Sequence, residues 1–241
     1  MLHLLKSMPD PSISLNKFIS STGICSRREA DRMIEAGRVQ LNGTTAQKGN
    51  RVNPGDEVLL DGAPLKAKPK AVYIALHKPP GITCTTDRKD KDNIIDFLNY
   101  PERIFHIGRL DKASTGLIFL TNDGDIVNEI LREQNEHEKE YIVTVNKPIN
   151  ASFVRRMSQG IPILGTVTKK CQVEKIGRQA FRIVLTQGLN RQIRRMCDYL
   201  GYDVVTLKRV RIMNVHLGKL KPGQWRYLTA GELQELRRHL G

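Results

Sequence analysis

The chain is poor in the features that announce most cofactors. Its four cysteines, Cys25, Cys84, Cys171 and Cys197, are scattered with no paired spacing. Neither a zinc cluster nor a disulfide framework is signalled, and the thiols read as small buried hydrophobes. A GxGxxG loop is missing, which leaves a dinucleotide or Rossmann-type methyl-donor site without support. No apolar run approaches the roughly 20 residues of a membrane span. Residues 1–5 lack the apolar core of a secretory signal, so a soluble cytoplasmic protein is expected. Internal repeats and low-complexity tracts are absent as well. Acidic side chains are outnumbered, 25 against 39 Lys and Arg, which leaves a net charge of +14 and an isoelectric point near 9.8. That balance favours a polyanionic partner through phosphate neutralisation and counterion release, with nucleic acid the first candidate; an anionic membrane surface is the rival, and the lack of a span and of a signal core argues against a membrane partner.

What is present divides the chain. Its 241 residues exceed the roughly 100–200 of a single domain, so two are expected. Residues 1–11 have no periodicity and read as a loose, disordered leader. From 12 to 62 a small module follows. Leu15, Phe18 and Ile19 recur at helical spacing, and Ser26 with Glu29 forms an S-x-x-E capping box opening a second helix on Ala30, Met33 and Ile34. Val39 and Leu41 lead into an Asn42-Gly43 turn, and residues 52–58 read as strand, turn, strand. Two prolines and three lysines over 63–70 make a solvated linker. In the remainder, 71–241, strand-like runs at 72–76, 117–121, 141–145 and 181–185 mix with helix-like ones at 94–98, 125–131, 152–157 and 191–200, which argues an α+β domain.

Charge is spread unevenly. Between Arg178 and Arg211 eight basic residues face only Asp198 and Asp203, an excess of six, whereas residues 11–62 carry seven basic and six acidic side chains. The small module can therefore attract a polyanion only by segregation. Arg27, Arg28, Arg32 and Arg38 gather around one helix, and Arg28 and Arg32 share a face at i, i+4. A solvated helix surface with Glu and Asp partners would look the same, so charge alone does not decide.

Three stretches are candidates for chemistry. Residues 106–124 read as loop, buried strand and turn, with Asp111 just before Gly116. A carboxylate there can be held at the mouth of a cleft by a rigid sheet, although a loop Asp beside Ser and Gly is more often a turn or capping residue. In residues 187–196 Asn190 reads as an N-cap. Ile193, Met196, Cys197 and Leu200 make the core stripe, leaving Arg191 and Arg195 on the opposite face and Arg194 at its edge. An edge arginine can point into a cleft or simply pack its stem on the core. Finally, Tyr141 enters a strand after Glu138-Lys139-Glu140, where a tyrosine is ordinarily core packing.

Taken together these segments resemble the ribosomal RNA pseudouridine synthases of the small-subunit-A type. Ser14-Leu15-Asn16-Lys17-Phe18-Ile19, Ser26-Arg27-Arg28-Glu29-Ala30-Asp31 and Gly37-Arg38-Val39-Gln40-Leu41-Asn42-Gly43 resemble the S4 RNA-binding domain. His77-Lys78-Pro79-Pro80-Gly81, Gly108-Arg109-Leu110-Asp111 through Asn122-Asp123-Gly124, Lys139-Glu140-Tyr141 and Arg191-Gln192-Ile193-Arg194-Arg195-Met196 resemble the catalytic-domain motifs.

The resemblance implies a central mixed, mainly antiparallel sheet with a cleft, an S4 domain on a linker, and no cofactor or metal. It also implies the chemistry. Asp111 would act near C1′ and C2′, as nucleophile or as the base removing the 2′ proton. Arg194 would pair with it, Tyr141 would stack on the uracil and help remove the C5 proton, and Arg109 would fill the space left by a flipped-out uridine. The expected partner is structured RNA: 23S ribosomal RNA or its assembly intermediates, with a transfer RNA as a further candidate. Arg27, Arg28, Arg32, Arg38, Arg191 and Arg195 are the expected backbone contacts, on a monomer. The alternative, a non-catalytic RNA-binding factor of ribosome assembly, would explain the charge but not Asp111, Tyr141 and Arg194 in three matched contexts. A methyltransferase would need the absent donor loop.

Overall fold

The computed structural model describes residues 11–65, 69–132 and 136–240, and the chain divides into two compact units between Lys70 and Ala71. All of the expected leader except Pro11, and residues 66–68 of the expected linker, lie outside the described residues.

The first unit runs β1 (Ile13–Ser14), α1 (Leu15–Ser21), α2 (Arg27–Glu35), β2 (Val39–Leu41), β3 (Thr44–Thr45), β4 (Arg51–Val52), β5 (Val58–Leu60) and β6 (Ala63–Pro64). Helix α2 starts where its capping box stands. Ser26 Oγ accepts from the Glu29 N–H at 3.2 Å, and the Glu29 carboxylate accepts from the Ser26 N–H at 2.6 Å. Ala30 and Ile34 then bury against Leu15 and Ile19, with Met33 partly covered. Asn42 and Gly43 both take positive φ, 51° and 77°, and fold β2 back onto β3. Two expectations need correction. Strands β4 and β5 exist but do not pair with each other: β4 joins β1, while β5 lies between β2 and β6. Residues 63 and 64, expected in the linker, form edge strand β6 opposite Leu59 and Leu60. The edge tolerates Pro64 because no partner there needs its N–H.

The second unit continues with β7 (Tyr73–Lys78), α3 (Ile94–Leu98), β8 (Phe105–Ile107), β9 (Thr115–Thr121), α4 (Gly124–Leu131), β10 (Lys139–Val145), α5 (Ala151–Gln159), β11 (Pro162–Ile163), β12 (Thr166–Val167), β13 (Gln172–Lys175), β14 (Ala180–Leu185), α6 (Gln192–Tyr199), β15 (Val204–Ile212), β16 (Val215–His216), β17 (Trp225–Tyr227) and α7 (Ala230–Leu240). Its sheet has the order β13-β14-β10-β15-β9-β7-β17, with β16 beside β15 and β8 beside β9. Every pairing in it is antiparallel except β9 with β15. This is the mixed, mainly antiparallel α+β architecture expected. Strand β15 is central, yet the sequence pattern places no strand there. Lys208, Arg209 and Arg211 break its apolar pattern and read as surface charge.

Cross-strand partners share a face of the sheet. The pairs Tyr141–Arg209 and Arg209–Gly116 therefore put these three residues on one face. Two apolar clusters occupy that face. Val143, Phe181, Ile183 and Leu207 pack under α5 and α6, and Ile74, Leu76, Ile118 and Leu120 pack under α3. Tyr141 touches both. On the opposite face Ala75, Leu117 and Phe119 meet Ile126 and Ile130 of α4 and Leu236 of α7. Gly116 permits the parallel pairing: its φ is +113°, and a Cβ there would lie 2.2 Å from the Arg209 carbonyl oxygen. All four cysteines are unpaired thiols, three buried and Cys171 partly so.

Candidate active site

Asp111 stands in the loop between β8 and β9. The loop is closed by the Ser114 N–H donating to the Asp111 carbonyl at 2.9 Å, and the Gly81 N–H donates to the Lys112 carbonyl at 2.8 Å. Beneath it lies Lys78, with no solvent exposure. Its Nζ donates to the carbonyls of Pro79 and Ile82 at 2.8 Å each and of Lys112 at 3.3 Å. Burial holds the Lys78 ammonium below the usual lysine pKa, an effect opposed in part by the Asp111 charge. Three carbonyl dipoles thus replace water around a cation that ties the 79–82 loop to the Asp111 loop.

Helix α6 delivers the second group. Its N-cap is Arg191, in left-handed backbone with φ 50° and ψ 33° and no side-chain cap. Asn190, expected in that role, instead accepts from Arg195 through its carbonyl at 3.1 Å and its Oδ1 at 3.3 Å. The first turn then aims Arg194 at the Asp111 loop. Nε lies 3.4 Å from Asp111 Oδ2, Nη2 donates to Ser114 Oγ at 3.1 Å, and Nη1 donates to the Val204 carbonyl at 3.3 Å. The pair is sheltered, with side-chain exposures of 16% for Arg194 and 30% for Asp111. The Nε proton is buried and makes no aligned hydrogen bond, so the contact is an ion pair rather than a hydrogen bond. Such a pair fixes where the carboxylate points.

Tyr141 of β10 completes a cleft of about 260 Å³ that is also lined by Arg109 and Arg191. Asp111, Tyr141 and Arg194, far apart in sequence, therefore face one space. Arg195 does not line it. In the first unit Arg38 is committed to Asp61 by two hydrogen bonds of 2.6 and 2.9 Å, and Arg27 reaches Asn16 at 3.4 Å. Arg28 and Arg32 stand exposed and make no ion pair among the described residues.

Three neighbours were not singled out from sequence: Lys78, Ser114 and Arg209. Lys78 and Ser114 sit inside the quoted motifs, and this was their only signal. Sequence counts Arg209 as surface charge, and the structure corrects that count. Of the basic residues between Arg178 and Arg211, Arg182 is paired with Glu174 and with Glu140 at 3.7 Å. Arg211 is paired with Glu138 and Glu140 at 2.9 Å each, Arg194 pairs with Asp111, and Arg209 is buried. Four of the eight counted cations are therefore paired with carboxylates or buried.

Comparison with known proteins adds to this geometry. A family model described as RNA pseudouridylate synthase matches residues 72–199, and a model of the S4 domain matches residues 14–58. The chain is 58% identical over 231 residues to the dual-specificity RNA pseudouridine synthase RluF of Escherichia coli K12, covering 95% of this chain and 80% of that protein. It is 34% identical over 232 residues to ribosomal large subunit pseudouridine synthase B of Bacillus subtilis, covering 92% and 95%. A crystal structure of a pseudouridylate synthase matches with a TM-score of 0.69 at 30% identity, covering 93% of this chain and 99% of that one.

Proposed function

Because the chain belongs to the RNA pseudouridylate synthase family, we propose that it isomerises a uridine of large-subunit ribosomal RNA, and of a transfer RNA as a second substrate, as a cytoplasmic monomer using Asp111. The observation that carries the assignment of Asp111 is the sheltered ion pair with Arg194 in a cleft shared with Tyr141. The names of the two relatives above, one dual-specific and one acting on the large ribosomal subunit, support the choice of substrates.

The reaction breaks the N1–C1′ bond, turns the uracil while it is held, forms the C5–C1′ bond, loses the C5 proton and takes up a proton at N1. It is redox-neutral and consumes no second substrate. Asp111 either attacks C1′ or removes the 2′ proton, and in both routes it must be ionised when the uridine arrives. Arg194 fixes where that carboxylate points. Tyr141, fixed on a strand, offers a ring face for the turning uracil, and Arg109 at the rim can fill the gap in the RNA helix once the nucleotide has left it. Among the described residues no group of three or more His, Cys, Asp or Glu is placed to hold a metal ion.

Asp111→Asn keeps the shape and removes the charge. Tritium release from RNA labelled at uracil C5 should fall by roughly four orders of magnitude while RNA binding persists. Asp123, which accepts from the Tyr73 hydroxyl at 2.6 Å and caps α4, serves as a control whose loss is felt in stability. Wild-type release by folded Asp111→Asn protein would overturn the assignment in favour of a non-catalytic RNA-binding role.

A further inference from the structure

Position 209 is where the floor of the cleft should be apolar. Its face partners are Tyr141 and Gly116, and Leu207, two residues back on the same face, belongs to the core under α6. Instead a guanidinium stands there, only 4% exposed. Its Nε donates to the Leu117 carbonyl of β9 at 2.6 Å. Nη1 reaches the Arg109 carbonyl, two residues before Asp111, at 3.5 Å, and Cζ lies 6.0 Å from the centroid of the Tyr141 ring. Nη2 is buried without a hydrogen-bond partner, and no carboxylate pairs with the group among the described residues.

Burying a cation without a counterion is unfavourable, and a methionine or leucine would fill the same space without that penalty. What distinguishes arginine is its rigid fork, which engages several segments at once. The segments engaged are the strand that follows Asp111, the loop that carries it, and the ring opposite it. We propose that Arg209 is a positioning residue for the reaction, holding the Asp111 loop and the Tyr141 ring in register from beneath the cleft. It lies in the floor of the cleft, almost fully buried, and acts through those two groups. This rests on the reading of Asp111 and Tyr141 given above.

The test uses the full-length protein with Arg209→Met, which keeps bulk and removes the fork, and Arg209→Lys, which keeps the charge and one donor direction. Thermal melting, RNA affinity and single-turnover tritium release at saturating RNA are measured for each, with Asp111→Asn alongside. Displacing reacting groups by about 1 Å lowers rates by about a hundredfold, so Arg209→Met should bind RNA within about threefold of wild type yet react about a hundredfold more slowly. Arg209→Lys should recover only part of that loss. A folded Arg209→Met with the wild-type rate overturns the proposal, as does a rate loss matched by an equal loss of affinity, which would mark a merely structural arginine. If Arg209→Met fails to fold, Arg209→Lys decides: full activity overturns the proposal, and a slowed rate with normal affinity supports it. An inert Asp111→Asn beside a fully active Arg209 variant would sink only the positioning role. A fully active Asp111→Asn would sink the reading of the cleft itself.

Discussion

On α2 the guanidiniums of Arg28 and Arg32 stand in solvent one turn apart, whereas those of Arg182, Arg194, Arg209 and Arg211 are held by carboxylates or sealed under a sheet. By count the second region is far more basic, but four of its eight cations are paired with carboxylates or buried, while Arg178, Arg191 and Arg195 stay exposed. A net charge describes the long-range field of a region but not the charges able to contact a phosphate. The same side chain serves as a surface cation at Arg28 and Arg32 and as an internal fork at Arg194 and Arg209.

The sharpest way to break that contrast is to remove an internal fork and look for an effect on binding. Arg194→Gln should lower single-turnover tritium release by about two to three orders of magnitude, because Asp111 loses the partner that aims its carboxylate. Affinity for RNA should change by less than about threefold. If affinity collapses and the bound rate survives, Arg194 belongs with the surface cations.

A smaller effect is expected on α2. Replacing Arg28 and Arg32 together by Gln should reduce the slope of log affinity against log salt by about one to two, leaving the rate of bound RNA unchanged. Arg182→Gln, which removes an arginine already paired with two carboxylates, should leave the slope where it was. Equal slopes for all three proteins would erase the distinction between the regions.

The smallest effect concerns an arginine used purely for architecture. Arg226 grips Glu232 with two hydrogen bonds of 2.7 Å, and this holds the Glu232 carboxyl below the usual carboxylate range. A depressed native pKa stabilises above the ordinary carboxylate value, and that stabilisation is lost as pH falls through the native value. Glu232→Gln should therefore remove about 1 kcal/mol at neutral pH and flatten the acid limb of melting temperature against pH. A steeper acid limb in the variant would contradict the sign.

How much of this could be read beforehand varies with the range of the interaction. The capping box at Ser26 and Glu29 and the Asn42-Gly43 turn are settled by residues a few positions apart, and both formed where the spacing placed them. The approach of Arg194 to Asp111 has no local signature, and only likeness to a family suggested it. Strand β15 was missed because Lys208, Arg209 and Arg211 carry the chemistry of a surface. Nothing in their neighbourhood shows that Glu138 and Glu140 will neutralise Arg211 or that the sheet will enclose Arg209. The N-cap of α6 was misplaced by one residue for a related reason: Asn190 is occupied by Arg195, a contact that exists only once the helix is in place.

The sheet order carries a consequence for how the protein comes into being. Among the described residues strand β15 alone links β13-β14-β10 to β9-β7-β17, and it is made after the other strands of both groups except β17. A chain emerging from the ribosome therefore holds two incomplete sheets with open edges until residues 204–212 arrive and insert between them. Such late, long-range closure is slow and leaves strand edges open to mispairing. Until it happens Asp111 and Tyr141 belong to separate half-sheets, so no truncated chain ending before β15 can assemble the cleft, however well its own part is folded.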